Sequence, residues 1–160
     1  METKTKQLAL CLALPLAVGA LSSYLTKNDM IAFRTVEKPA LYPPETVFPI
    51  VWTVLFLLMG IASYRIIRAH KKNDTAIYRI RIAIAYYALQ LAINFLWPFV
   101  FFRYQAYWIA FAVLIALVYV VLRTYYAFSA IDRSAGYYLL PYLVWLAFAG
   151  YLNLAIAMMH

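Results

Sequence analysis

The stretch from Ile82 to Phe102, IAIAYYALQLAINFLWPFVFF, contains no charged side chain over a length that crosses a lipid bilayer. An α-helix rises 1.5 Å per residue, so about 20 apolar residues span the hydrocarbon core. The other uncharged stretches of similar length are Gln7–Thr26, Phe48–Tyr64, Tyr104–Leu122 and Ser134–Met159. The sequence therefore predicts an all-α integral membrane protein, a bundle of five transmembrane helices.

The spans use most of the 160 residues, so we expect one membrane domain over 1–160 and no soluble catalytic domain. The composition agrees, because 67% of the residues are hydrophobic and only 12% are charged. The predicted helices run over about 7–25, 48–67, 82–102, 107–128 and 137–158. The connection at 27–47 contains Pro39, Pro43 and Pro44, which disfavour a continuous helix. We expect this connection to pack on the bundle as an ordered lid.

Basic residues are distributed unequally between the two ends of the predicted bundle. With alternating spans, one end carries Lys4, Lys6, Arg65, Arg68, Lys71, Lys72, Arg79, Arg81, Arg123 and Arg133. The other end carries only Lys27, Arg34, Lys38 and Arg103. This positive-inside pattern predicts a bacterial cell membrane protein with a cytoplasmic N-terminus and an external C-terminus. The net charge of +8 then indicates anionic lipid headgroups as partners and not nucleic acid.

The residues of conventional active sites are scarce. The two histidines, His70 and His160, lie outside the spans, and no span contains an acidic residue. The sequence shows no metal-ligand spacing and no Gly-rich phosphate loop. These observations argue against a hydrolytic or metal-dependent enzyme and against a proton relay. We expect no metal ion and no required cofactor.

Aromatic and amide side chains recur at helical spacing in three of the spans. The stripes are Trp52, Phe56, Gly60 and Ser63; Gln90, Asn94, Trp97 and Phe101; and Pro141, Trp145, Ala149 and Asn153, with Phe148 and Leu152 beside the last. Amides are unfavourable against lipid, so these faces should point inward. Two interpretations stay open. In the first, each side chain serves only to hold helices together; in the second, the stripes together line a pocket for a flat, mostly apolar ligand.

Several strings resemble a known family. They are Lys38-Pro39-Ala40-Leu41-Tyr42-Pro43-Pro44, Phe48-Pro49-Ile50-Val51-Trp52, Gln90-Leu91-x-x-Asn94-x-x-Trp97 and Pro141-Tyr142-Leu143-x-Trp145-x-x-Phe148-Ala149-x-x-Leu152-Asn153. Together they span most of the chain and are similar to the TspO/translocator protein family, the tryptophan-rich sensory proteins also called peripheral benzodiazepine receptors.

The resemblance implies a five-helix bundle, usually a homodimer, with a ligand pocket beneath the lid. It implies porphyrin ligands such as protoporphyrin IX, and isoquinoline carboxamide or benzodiazepine-type ligands. The ligand-binding residues carried over by motif are Trp52, Phe56, Asn94, Trp97, Trp108, Trp145, Phe148, Ala149 and Leu152. The lid residues carried over are Tyr42, Pro43 and Pro44.

The resemblance leaves alternatives to a membrane receptor or sensor. One is light- and oxygen-dependent porphyrin degradation, with Trp52 and Trp145 as candidate catalytic residues. Another is transport of tetrapyrroles or lipophilic ligands, although the spans carry no charge and no repeat. The lid has Leu41 where the family usually has tryptophan, so Tyr42 would have to supply a stacking contact from the loop. The small-residue pairs Gly19/Ser23 and Ala88/Ala92 allow another helix to approach closely, either within one bundle, which we favour, or in a homodimer.

Overall fold

The computed structural model describes residues 1–73 and 77–160, without the side chains of residues 71–73. The side chains of Lys71 and Lys72, two of the basic residues used in the topology prediction, therefore lie outside the described part of the chain.

The described chain is built from helices. They are α1 (Glu2–Ala32), α2 (Val47–Asn73), α3 (Ile77–Pro98), α4 (Tyr107–Ile131), the short α5 (Arg133–Tyr137) and α6 (Leu140–Met159). A 3-10 turn at Phe33–Thr35 follows α1, and a π-helical turn at Phe99–Arg103 follows α3. Five helical segments are long and apolar enough to cross a membrane. The predicted five-span, all-α architecture is confirmed.

The first helix is longer than the predicted range 7–25, because it continues to Ala32. The segment after residue 25 contains no proline or glycine before Pro39. Asp29 in this extension forms an ion pair of 3.1 Å with Arg103 at the end of the π-helical turn. Part of the predicted lid 27–47 is therefore helix, and the irregular part of the lid is shorter.

The last span consists of two helices, because the short α5 ends at Tyr137 and α6 begins at Leu140. Asp132 has an extended backbone between α4 and α5, and its carboxylate accepts a hydrogen bond of 2.9 Å from the Ser134 backbone N–H. The same carboxylate forms an ion pair of 2.8 Å with Arg65 of α2. This cap and ion pair fix where α4 ends and a new helix begins.

The helices pack in the order α1, α2, α6, α4, α3 around the bundle, and α3 closes the ring on α1. The backbones of α2 and α6 approach each other less closely than those of the neighbouring pairs α1–α2 and α4–α6. Large side chains fill the space between α2 and α6, which we call the α2–α6 seam.

The tightest crossing lies between α1 and α2 at Gly60. A Cβ atom added there would lie 2.6 Å from the carbonyl oxygen of Cys11 and 2.8 Å from the Cα of Leu12. These are backbone atoms, which cannot move aside without separating the helices. Sequence patterning placed Gly60 on the ligand stripe, but the structure turns it towards α1.

Gly60→Ala should therefore lower stability, by about 1–3 kcal/mol if the helices are forced apart. Gly150→Ala is the matched control, since an added Cβ there meets only Leu114 Cδ2, at an ordinary 3.8 Å. The control should be neutral or more stable by about 0.5–1 kcal/mol. Thermal unfolding of both variants in one detergent measures the difference. Equal melting temperatures would contradict the assigned α1–α2 contact.

Candidate functional site

The α2–α6 seam contains a cluster of aromatic rings, the seam cluster, made of Trp52, Phe56, Tyr142 and Trp145. The Trp52 ring stacks on Phe56 with centroids 5.5 Å apart. It meets Tyr142 edge-on at 6.1 Å and Trp145 at 6.5 Å, with an 88° angle between the indole planes. The structure thus brings together predicted ligand-binding residues from two helices that are distant in sequence.

Tyr142 is the polar centre of the seam cluster, and sequence reasoning did not select it as a site residue. Its hydroxyl accepts a hydrogen bond of 2.7 Å from Asn94 and donates one of 3.0 Å to Gln90. The Gln90 amide in turn approaches the Met59 sulfur at 3.7 Å. Tyr142 is 1% exposed, so this chain of contacts joins α6, α3 and α2 in the interior of the bundle.

The indole N–H of Trp145 lacks a partner. This nitrogen is buried and has no acceptor among the described residues. A buried donor without an acceptor is unfavourable by about 1–3 kcal/mol. The seam therefore offers one unused hydrogen-bond donor beside aromatic faces.

Trp97 lies at a different junction, where α3 meets α4 and α6. Its indole N–H is shared between the Ala110 carbonyl at 3.1 Å and the Asn153 side-chain oxygen at 3.2 Å. Asn153 also donates a hydrogen bond of 2.9 Å to the Tyr107 carbonyl. The Trp97 ring stacks on Phe101 with centroids 4.7 Å apart. Here an amide and a tryptophan hold helices together.

The remaining predicted residues of α6 flank the seam cluster. Phe148 packs against Trp145 with centroids 5.5 Å apart, and its ring also stacks on Tyr151 at 6.2 Å. Ala149 packs against the main hydrophobic core, and Leu152 is buried. Ala149 is small and lies one turn from Trp145 on the same face of α6.

The structure places Trp108 away from this set. Its side chain is 59% exposed on the outer surface of α4. The turn before α4 contains Gln105 with a positive φ of 49°. This turn sets the rotation of α4 so that Tyr107 and Ala110 face inward. Trp108, about 100° further round the helix, then points outward.

Aromatic contacts join the lid to the bundle, and hydrogen bonds from Lys38 hold it on the end of the first helical segment. Tyr42 packs against Phe48 with centroids 5.5 Å apart, and Phe48 meets Trp145 at 5.8 Å. The Lys38 ammonium donates to the carbonyls of Phe33, Arg34 and Val36 over distances of 2.9–3.3 Å. A ring contact thus runs from the lid to the seam cluster.

Tyr42 takes the inward position in the lid, whereas Leu41 is 68% exposed. Burial and the nearby Glu45 carboxylate raise the pKa of Tyr42 to about 12, so its phenol stays neutral at physiological pH. Pro43 and Pro44 follow directly, and the Pro44 carbonyl accepts a hydrogen bond of 3.0 Å from Val47 at the start of α2. The prolines therefore connect the Tyr42 contact to α2.

Two surface grooves of the bundle lie away from the seam cluster. A surface groove of about 460 Å³ lies between α3 and α4, and another of about 310 Å³ lies between α4 and α6. Neither groove is lined by a member of the seam cluster. The rings of Trp52, Tyr142 and Trp145 contact one another across the α2–α6 seam, so a ligand between these helices would meet aromatic side chains.

Comparisons with known proteins match this chain to one family. Residues 11–159 match the TspO/MBR family. The chain is 34% identical to the tryptophan-rich protein TspO of Chlorobaculum tepidum, across 100% of this chain and 99% of that protein. It is 36% identical to a tryptophan-rich sensory protein of Cereibacter sphaeroides, across 76% and 72% of the two chains. It is 31% identical to the translocator protein of Bos taurus, across 88% and 82%.

The family match covers nearly the whole chain, and the five apolar spans agree with an integral, multi-pass membrane protein. Membership supports a role as a membrane sensor or transporter. This protein belongs to the TspO/MBR family.

Proposed function

We propose that this protein is a membrane receptor or sensor that binds porphyrins such as protoporphyrin IX in the α2–α6 seam. The same seam would bind isoquinoline carboxamide or benzodiazepine-type ligands. The observation that carries the proposal is the seam cluster itself. Aromatic rings, not close backbone packing, join α2 to α6, and one buried N–H there has no acceptor among the described residues.

The chemistry of the seam suits a flat ligand with a polar edge. Trp52 and Trp145 present rings at right angles, so one can stack on a planar macrocycle while the other meets its edge. The Trp145 N–H can donate to a carbonyl or carboxylate oxygen of the ligand. Such a bond would satisfy a donor that is unpaired in the free protein, which favours the bound state.

The lid provides a route by which binding can change the surface of the protein. Phe48 joins the lid residue Tyr42 to Trp145 through two ring contacts. A ligand that displaces Trp145 would disturb this path and with it the packing of the lid. A change in lid position is an output for a sensor, and opening of the lid is a step that a transporter would also need.

A second candidate function is light- and oxygen-dependent porphyrin degradation. The contact between Trp52 and Trp145 favours it, because any porphyrin in the seam would lie against two readily oxidised indoles. The chemistry would draw on the excited porphyrin and dioxygen. The protein would hold the porphyrin in place and supply the two tryptophans.

Replacing Ala149 with leucine should weaken binding of protoporphyrin IX by about tenfold, because the larger side chain crowds the seam. The matched control is Ala147→Leu, which adds the same volume at an exposed position of the same helix. Titration in detergent in the dark, followed by the porphyrin absorbance, gives both dissociation constants. Unchanged affinity in Ala149→Leu would exclude this face of α6 from the binding site.

The double variant Trp52→Phe/Trp145→Phe separates binding from degradation. In the dark, porphyrin binding should weaken, since the variant loses indole area and the N–H donor of Trp145. Under illumination in air, conversion of bound porphyrin to a new chromophore should slow if the tryptophans take part. Equally fast conversion at matched occupancy would show that Trp52 and Trp145 are not required for degradation, and it would leave the binding proposal in place.

We also infer an arrangement in the membrane. The lid and the C-terminus lie at the same end of the bundle, where the His160 ring nitrogen is 3.3 Å from the Glu37 carbonyl oxygen. With the positive-inside pattern, this end would face outward from a bacterial cell membrane. Ala88 and Ala92 are exposed on α3, whereas Gly19 packs against Phe56 within the bundle. A homodimer would therefore form through α3.

Single-cysteine variants in a Cys11→Ala background test this arrangement in intact cells. Leu41→Cys in the lid should react with a membrane-impermeant maleimide, and the lack of reaction until lysis would reverse the orientation. Ala92→Cys should form a disulfide-linked dimer on mild oxidation. Ala112→Cys, exposed on α4, is the control and should stay monomeric. Equal cross-linking of both would argue against an α3 interface.

A further inference from the structure

Arg123 occupies an unusual position at the surface of the bundle. It is the one charged residue of α4, and its side chain is exposed. Eight residues separate it from the end of the helix at Ile131, which corresponds to about 12 Å along the axis. A guanidinium at this depth faces the boundary between headgroups and acyl chains, where an unpaired charge is unfavourable.

Three arginines in the described part of the chain pair with acids, whereas Arg123, like Arg68, Arg79, Arg81 and Arg133, has no acidic partner there. Arg65 pairs with Asp132 at 2.8 Å, and Arg103 pairs with Asp29 at 3.1 Å. Within residues 1–73 and 77–160, both acids at the end that carries Arg123 are engaged, since Glu2 pairs with Lys6 at 2.7 Å. The charge of Arg123 is thus left for a partner outside the described chain.

Tyr86 of α3 holds the Arg123 guanidinium in place. One Arg123 N–H group donates a hydrogen bond of 3.1 Å to the Tyr86 hydroxyl, and the guanidinium carbon lies 5.3 Å from the centre of the Tyr86 ring. Because a guanidinium has five N–H donors, the remaining ones are available to an acceptor. Their fixed fork geometry suits two oxygens of a phosphate group.

The surroundings of this pair are those of a lipid contact. Tyr119 and Tyr126, one turn to either side of Arg123 on the same face of α4, are 60% and 65% exposed. Exposed tyrosines are typical of the membrane–water interface. Further towards the middle of the span, the exposed side chains are apolar, with Leu89 at 47% and Ile115 at 53%. A ligand at Arg123 must therefore be amphiphilic, with an anionic group and hydrocarbon chains.

We propose that Arg123, positioned by Tyr86, binds the phosphate of an anionic membrane phospholipid at the α3–α4 seam. The phosphate neutralises the guanidinium at the headgroup boundary. The acyl chains lie along the apolar surface formed by α3 and α4. This site lies on a different face from the α2–α6 seam and is independent of the porphyrin-binding proposal.

The test is native mass spectrometry of the full chain purified in detergent with equal amounts of phosphatidylglycerol and phosphatidylcholine. The wild-type protein should retain phosphatidylglycerol in preference to phosphatidylcholine. Arg123→Gln should lower that preference about fivefold, in line with one interfacial cationic contact. Arg79→Gln is the control, because it removes an equal charge from an exposed arginine at the same end. It should lower the preference by less than twofold.

Two further variants keep the test decisive if Arg123→Gln does not fold. Arg123→Lys keeps the charge but loses the fork of donors, and Tyr86→Phe loses the orienting hydroxyl. Both should show a reduced preference for phosphatidylglycerol with an unchanged circular dichroism spectrum.

Three results would overturn the proposal. The first is equal loss of preference in Arg79→Gln and Arg123→Gln, which indicates diffuse attraction without a site. The second is no preference for phosphatidylglycerol in the wild-type protein, or the same preference in the Arg123 and Tyr86 variants as in the wild type. The third is displacement of phosphatidylglycerol by inorganic phosphate, which indicates a site for free anions.

Discussion

The absence of water inside a bilayer is the constraint on which the rest of this structure depends. Buried polar side chains in the spans must find partners within the protein. The Tyr142 hydroxyl is the hydrogen-bond partner of Asn94 at 2.7 Å and of Gln90 at 3.0 Å. These bonds link α6 to α3. Helices whose backbones do not approach closely are held together by such bonds. Because these backbones are not in close contact, large aromatic rings can lie beside the hydrogen bonds.

The interior therefore has one junction where a tryptophan N–H group is hydrogen-bonded, and another where it has no acceptor among the described residues. Around Trp97, the indole N–H has two acceptors and the facing amide of Asn153 is also bonded. Around Trp145, the indole N–H is buried and has no acceptor in the described part of the chain. Tryptophan thus links helices at the Trp97 junction, whereas the N–H group of Trp145 remains available to a ligand. The first of the two interpretations of the aromatic stripes describes Trp97, and the second suits the α2–α6 seam.

Sequence alone predicted the spans and the inward faces, because uncharged length and helical spacing are local properties. It could not predict the rotation of one helix against another. Trp108 lies outside because the turn at Gln105 fixes how α4 enters the bundle. Gly60 faces α1 because the closest backbone approach lies there, which no spacing rule reveals. Tyr142 became the polar centre only when α3 and α6 were placed side by side.

The two ends of the bundle differ in how their arginines are paired. At the lid end, Arg34 pairs with Glu45 at 2.9 Å and Arg103 with Asp29 at 3.1 Å, so these arginines are used within the chain to hold the lid and the end of α1. At the other end, the described acids are already engaged and exposed arginines remain. The described arginines of the lid end are thus used for contacts within the chain, whereas several at the end that carries Arg123 have no acidic partner among the described residues and are available to the membrane surface.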